Sequence, residues 1–413
     1  MTVTPRSNFV LILILGALTT ISPLAIDMYL AAFPQIATDL NSTVGKVALS
    51  LSSYFVGLSV GQLFYGPVLD RFGRKPPLHF GLLLFILASV GCLYSHTVEA
   101  LIAFRFLQAL GGCAAGVAAT AMVRDFFPVK EGAKVFSMLM LILSVSPLLA
   151  PTAGSFISVH FGWHAVFIFL LLVVAAILAV TFFVLPEGHQ PDSSISLRIV
   201  PILRGYAEIF RDPQFFTYAL SGSLSFASLF AYVAGSPIIF MEVFHVSAQT
   251  YGGIFALLSV GFIGAGQVNI LLSRRFRPES IYQAALCAQV AMAFFFLVGT
   301  AAGWFGLLTT IAMLFAYLST LGFLYPNAAA LALAPFSRNA GSASALLGFL
   351  QIGAGALASM GIGLLDARQT FPIVAIFATS SSAALLVFLF GKRRMPEGLE
   401  AVPSAEEIVA PLH

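Results

Sequence analysis

The chain has 413 residues, of which 59% are apolar and 9% charged, with a mean hydropathy of +0.97; an ordinary soluble domain carries about 25% charged residues. That leaves too little charge to cover a water-soluble fold of this size, so the apolar residues must face lipid. A net charge of +3 is modest and gives no reason to expect a nucleic-acid partner, and three cysteines (Cys92, Cys113, Cys287) and seven scattered histidines give neither a disulfide framework nor a metal site.

A bilayer core of about 30 Å needs roughly 20 apolar residues of helix. The first run, Phe9 to Ala31 after Arg6, exceeds the roughly 7–15 residues of a signal-peptide core. It carries Pro23 and Asp27 and is followed by eleven similar runs, so it reads as a first transmembrane helix. Spans are predicted near 9–31, 47–69, 77–95, 99–123, 133–157 and 164–185, then near 215–240, 250–273, 280–302, 304–331, 341–365 and 369–391. Between the two sets lies a polar stretch with Glu187, Asp192, Arg198, Arg204, Glu208 and Arg211. The expected organisation is an all-α membrane protein of twelve transmembrane helices in two six-helix, pseudo-symmetric halves. The halves cover 1–185 and 213–391, with a cytoplasmic linker over 186–212 and a cytoplasmic tail over 392–413.

Charge tests the topology. With twelve spans the termini share one side, and Lys and Arg concentrate on the cytoplasmic side. That side holds Arg6, Arg71, Arg74, Lys75, Arg124, Lys130, Lys134, Arg198, Arg204, Arg211, Arg274, Arg275, Arg277, Arg338, Lys392, Arg393 and Arg394. The other side has Lys46 and Arg368, and Arg105 lies within a span. The halves also echo each other: Val56-Gly57-x-x-x-Gly61-Gln62 in the second span returns as Val260-Gly261-x-x-x-x-Gly266-Gln267 in the eighth. Each is followed by an Arg-Phe turn, Arg71-Phe72 and Arg275-Phe276. Duplicated halves with a binding site between them are a common transporter plan.

Asp27 is the one acid clearly within the membrane, late in an outward-running first span, at a depth comparable to Arg105 on the inward-running fourth. The two are expected to face each other. Burial disfavours a charged carboxylate and a nearby Arg favours it, so such a group can change protonation as its surroundings change. A permanent Asp–Arg pair that only holds helices together is the structural alternative. Gln108 and Gly112 share a helical face with Arg105, a polar stripe suited to a water-filled cavity; snorkelling of Arg105 to the interface is the other reading. In the loop after the second span, Gly73 permits a tight turn.

That loop, Gly66-Pro67-Val68-Leu69-Asp70-Arg71-Phe72-Gly73-Arg74-Lys75, resembles the conserved loop of the major facilitator superfamily. The resemblance implies a latch of ion pairs closing the cytoplasmic side, with Arg124 and Asp125 as partners. Arg105-x-x-Gln108-x-x-Gly111 is similar to the superfamily's fourth-helix motif, whose Arg is linked to proton and substrate exchange in proton-coupled members. Asp27-Met28-Tyr29-Leu30-x-x-x-Pro34 resembles the bicyclomycin- and chloramphenicol-resistance (Bcr/CflA) drug/proton antiporter branch. Three stretches agree with it. One is Ala150-Pro151-Thr152-Ala153-Gly154, close to an antiporter motif in which Pro147, Pro151 and Gly154 pack the fifth helix. The others are Phe226 to Pro237 followed by Glu242-Val243, and Ala340 to Phe349. Ala150 and Ser155 replace the glycines that usually flank the fifth-helix motif. Thr19-Thr20 stands where some relatives carry a second acid, so coupling would rest on Asp27 alone.

The resemblance implies a proton-coupled exporter of small lipophilic compounds, not an enzyme, with no cofactor beyond the coupling proton. It is expected as a monomer in the lipid of a prokaryotic inner membrane. Tyr29, Gln108, Met138, Tyr232, Tyr317, Tyr325, Asn327 and Gln351 are candidate cavity residues, few polar groups in an apolar pocket. One charge crossing 100 mV is worth about 2.3 kcal/mol and each pH unit about 1.36 kcal/mol, enough for one carboxylate to sustain a few hundred-fold gradient. A proton symporter importing a nutrient, siderophore or metabolite would use the same residues. A membrane enzyme or a transport-dead receptor is the reading from another class; no nucleophile, base and metal constellation or P-loop supports it.

Overall fold

The computed structural model describes residues 5–188, 190–193, 197–336, 339–365 and 369–395. Arg338, Arg368 and the tail beyond 395 lie outside the described residues, as do the side chains of Arg6, Lys130 and Lys134. Among the described residues all regular structure is helical: α1 (Pro5–Leu30), α2 (Phe33–Asp39), α3 (Val44–Phe72), α4 (Lys75–Leu93), α5 (Val98–Phe126), α6 (Val129–Phe161) and α7 (Trp163–Phe183), then α8 (Ile199–Phe210), α9 (Pro213–Pro237), α10 (Ala248–Leu272), α11 (Pro278–Ala301), α12 (Leu307–Leu333), α13 (Ala340–Leu364) and α14 (Thr370–Lys392). Twelve of these are long and apolar enough to cross a bilayer. They coincide with the twelve expected runs, because a length of apolar helix matched to the hydrocarbon thickness is hard to misread.

Local chemistry starts these helices. Thr43, Thr97 and Asp212 cap α3, α5 and α9 by accepting from the backbone N–H three residues on. Three elements escape a hydropathy reading. The seven-residue α2 buries Phe33, Ile36 and Ala37, and its Asp39 accepts a 2.7 Å bond from the Trp163 indole. Within the expected linker, α8 buries Tyr206 and Ile209 and exposes Ile199, Val200 and Leu203. Burial pushes the Tyr206 phenol above its ordinary pKa. After Pro237 the seventh span continues as a π-helical turn, Ile238–Val243, the wider winding that proteins adopt in short pieces.

The chain groups into two compact units, Met1–Ile202 with Ser247–Ala256, and Leu203–Val246 with Leu257–His413. In the first, α3 lies on α5 so closely that a Cβ added at Gly57 would stand 2.6 Å from the Phe106 carbonyl oxygen, and Gly61 abuts Cys113. In the second, α12 meets α10 in the same manner: a Cβ at Gly322 would stand 2.5 Å from the Phe262 carbonyl oxygen, and Gly261 abuts Phe315 and Ser319. The glycine echo therefore falls on corresponding helix contacts, where small residues let backbones approach in lipid.

Candidate functional site

Arg105 is fully buried on α5. Its Nη1 donates to Gln108 Oε1 at 2.6 Å, one turn along the same helix, and its Nη2 to the Ala25 carbonyl on α1 at 3.0 Å. The guanidinium lies over the rings of Tyr54 at 4.2 Å and Tyr29 at 4.6 Å, with Phe167 at 5.9 Å. Helices α1, α3, α5 and α7 thus enclose one cation with two charge-assisted hydrogen bonds and three aromatic faces. The Nε has no acceptor. A second ring of bonds holds the first: Gln108 Nε2 donates to Ser89 Oγ on α4 at 2.7 Å, and the Tyr29 and Ser50 hydroxyls bond at 2.8 Å. Gly112, on the same face of α5, leaves room for the hydroxyls of Ser22 and Tyr54.

Asp27 lies two residues beyond Ala25 and is 6% exposed. The expectation that Asp27 and Arg105 face each other needs correction. Among the described residues Arg105 makes no ion pair with Asp27, and the Asp27 carboxylate has neither ion pair nor hydrogen bond. Depth along two antiparallel helices sets a common level but not a common direction, and the cation turns to a backbone carbonyl instead. Burying a carboxylate without a partner makes its charged form the costly one. The turn that carries Asp27 is packed hard from the other side: a Cβ added to Gly154 on α6 would collide with the Met28 carbonyl oxygen and sit 2.5 Å from its Cα. Pro147 and Pro151, both within α6, each remove a backbone donor just before that contact. The fifth-span proline–glycine stretch and the acid therefore meet at one place.

At the other end of α3, Gly73 turns the chain with φ +85°. Arg74, 6% exposed, bridges two acids: its Nη1 reaches Asp70 at 2.5 Å, its Nε reaches Asp125 Oδ2 at 2.7 Å and its Nη2 reaches Asp125 Oδ1 at 3.3 Å. Burial opposes the Arg74 charge, but the hydrogen bonds and charges of Asp125 and Asp70 outweigh it and hold its pKa above the ordinary value. Of the two expected partners, Asp125 is in the cluster, while Arg124 is exposed outside it. Arg71 lies 5.9 Å over the Phe72 ring, and Lys75 Nζ donates to the Phe182 carbonyl at 3.3 Å. Nothing lies within 4 Å of a Cβ at Gly66, so that glycine is not a close-packing position.

The other cavity candidates divide. Tyr29 and Gln108 belong to the Arg105 cage, whereas Met138 on α6 is 38% exposed. In the second unit each candidate has its own surroundings. Tyr317 is fully buried and stacked on Phe377 with centroids 5.1 Å apart. Asn327 donates to Asn269 Oδ1 and to the Phe323 carbonyl, both at 2.7 Å. Tyr325 packs on Phe226 at 4.7 Å, and Tyr232 and Gln351 are buried on α9 and α13. Sequence reasoning overlooked Tyr54, Ser89, Asn269 and Gln289. It also overlooked Ser221, Ser225 and Ser228, whose spacing of four and three puts one polar stripe on α9. Among the described residues no cluster of three or more His, Cys, Asp or Glu side chains could hold a metal.

The chain is 30% identical over 385 residues to a bicyclomycin resistance protein homolog of Haemophilus influenzae, covering 93% of this chain and 96% of that one. It is 31% identical over 386 residues to the multidrug resistance protein MdtL of Escherichia coli, covering 91% and 93%. Among solved structures, a D-xylose-proton symporter superposes with a TM-score of 0.72 at 15% identity, over 93% of this chain and 98% of that one. A bacterial homolog of the human lysosomal transporter Spinster, inward-facing and occupied, does so with a TM-score of 0.67 at 16% identity, over 94% and 96%. At these identities the structural likeness concerns the fold, a multi-pass membrane architecture of twelve spans. Members of the major facilitator superfamily are transport proteins and not enzymes. With the family model matching residues 15–359, the chain belongs to the major facilitator superfamily.

Proposed function

We propose that this protein is a proton-coupled exporter of small hydrophobic compounds, with Asp27 as the group that takes up and releases the coupling proton. The observation that carries the reading is a carboxylate 6% exposed, without hydrogen bond or ion pair, on the turn next to a buried Arg105 whose two terminal nitrogens are bonded elsewhere. An unpartnered carboxylate is free to exchange its proton, whereas a paired one would resist. Neutral Asp27 tolerates its apolar surroundings; the charged form needs water or a compensating group. A cycle in which α1 alternately wets and buries that turn would bind a proton on one side and release it on the other. The Arg105 cation supplies a standing positive potential nearby. Relatives described as resistance proteins for bicyclomycin and for multiple drugs support lipophilic cargo and the outward direction.

On this reading the protein lies in a prokaryotic inner membrane as a monomer, with both termini and the linker over 186–212 on the cytoplasmic side, where Lys and Arg concentrate. An apolar groove of about 580 Å³ beside α3 and α4, lined by Phe64, Val68, Phe72, Phe80 and Leu84, suits lipid chains. Arg74, Asp70 and Asp125 form the cytoplasmic latch. The test uses inverted vesicles with an imposed proton gradient and a panel of lipophilic antibiotics that includes bicyclomycin. Wild type should concentrate at least one compound and Asp27→Asn none, with equal amounts of inserted protein. Unimpaired proton-driven transport by Asp27→Asn would remove Asp27 from the mechanism. Expulsion of substrate from the inverted vesicles would mean import on the same fold.

A further inference from the structure

We propose that Glu187 is a positioning residue: it clasps the turn between α3 and α4 and thereby aims Arg74 at Asp70 and Asp125. The first two N–H groups at a helix start have no partner within the helix and favour a negative charge. Here both are taken by one side chain. Glu187 Oε1 accepts from the Arg74 N–H at 2.6 Å and Oε2 from the Lys75 N–H at 3.1 Å. The turn is shaped for it: Gly73 has φ +85°, and a Cβ there would touch all three atoms of the Glu187 carboxylate at 3.3–3.4 Å.

The neighbours of Glu187 belong to the same contact. A Cβ at Gly188 would stand 2.6 Å from the Phe126 ring and 3.2 Å from Asp125 Cβ, so the residue after the clasp lies against the acid that Arg74 binds. Further on, the Asp192 N–H donates to the Asp70 carbonyl at 3.2 Å. Before it, the Phe182 carbonyl accepts from Lys75 Nζ at 3.3 Å, and Leu185 is 2% exposed. The chain leaving the sixth span is thus threaded over the latch, touching Asp70, Arg74, Lys75 and Asp125 within eleven residues. Holding the backbone N–H of Arg74 fixes where its side chain begins, and a bidentate guanidinium–carboxylate contact tolerates little change of origin. A pull on the linker reaches the latch through this carboxylate. The clasp itself does not depend on what is transported; only its consequence for transport rests on the efflux reading above.

The test uses the full chain in lipid nanodiscs and compares wild type with Glu187→Gln and Glu187→Asp. Gln has the same shape but puts an NH2 donor where one of the two acceptors is needed, so it should fold and insert equally. Amide hydrogen exchange at Arg74 and Lys75 should speed up about tenfold or more in Glu187→Gln, with α5 unchanged, and Glu187→Asp should restore part of the protection. Exchange at both amides unchanged in Glu187→Gln overturns the clasp. A double-mutant cycle with Asp125→Asn then separates positioning from simple capping. If Glu187 acts through Arg74, adding Glu187→Gln to Asp125→Asn slows transport little further. A fully multiplicative loss means that Glu187 caps α4 without positioning Arg74, which overturns the proposal. If wild type moves none of the tested compounds, the efflux reading fails, and the exchange experiment still decides the clasp.

Discussion

The two units build their polar interiors from different material. In the first, one guanidinium is buried among Gln108, the Ala25 carbonyl and two tyrosine rings, with the Asp27 carboxylate two residues away on α1. Among the described residues of the second, the buried polar side chains are neutral: Ser221 bonds Tyr282 and the Ala384 carbonyl, Ser225 bonds Gln289, and Asn327 bonds Asn269. A neutral hydrogen bond exchanged for another in lipid contributes little, often near 0.6 kcal/mol. A buried charge that loses a partner costs about 3–5 kcal/mol. On the efflux reading proposed above, the coupling chemistry belongs to the first unit, and the second serves as a hydrogen-bonding scaffold.

That contrast can be broken by substitution. Arg105→Lys should have the largest effect, because an ammonium cannot hold Gln108 and the Ala25 carbonyl in one plane while stacking on two rings. A loss of about a hundredfold in proton-driven efflux is expected, read in vesicles at matched protein levels. Wild-type rates in Arg105→Lys would mean that charge alone suffices. Gly154→Val should come next. The added side chain collides with the Met28 backbone and must move α1 at the turn of Asp27. Overpacking of this kind costs about 1–3 kcal/mol in stability, and the transport loss should exceed that of an equally destabilising change elsewhere in α6.

Gln289→Leu should be the mildest. Its Nε2 has no acceptor as it stands, so removing the amide sacrifices one neutral bond to Ser225 and relieves an orphaned donor. Thermal unfolding in detergent should shift by no more than about 1 kcal/mol equivalent, with efflux intact. Loss of coupling in Gln289→Leu would end the idea that the second unit is a neutral scaffold.

Much of this molecule is legible in its residues, and the reason is the bilayer. Twelve apolar runs, a segregated Lys and Arg inventory and a glycine echo all follow from solvent constraints that act on composition and period. The shared face of Arg105 and Gln108 follows from helical spacing, and the structure brings them together. What stayed hidden depends on direction and on backbone. A carbonyl such as that of Ala25 has no residue-type signature, and Tyr54 is one of eleven tyrosines in the chain. Polar residues such as Tyr317 and Asn327 look available in a sequence but are taken up by neighbours on other helices. Glu187 reads as one linker acid among several until its two oxygens are seen on consecutive N–H groups.

The partners chosen by Arg105 have a consequence of their own. Carbonyls, carboxamides and aromatic faces keep their character across the acidity range in which a carboxylate gains or loses charge. The cage therefore behaves like a reference electrode set into the protein, constant while its surroundings titrate. Any response to acidity in this neighbourhood has to be written by some other group, against a potential that does not drift.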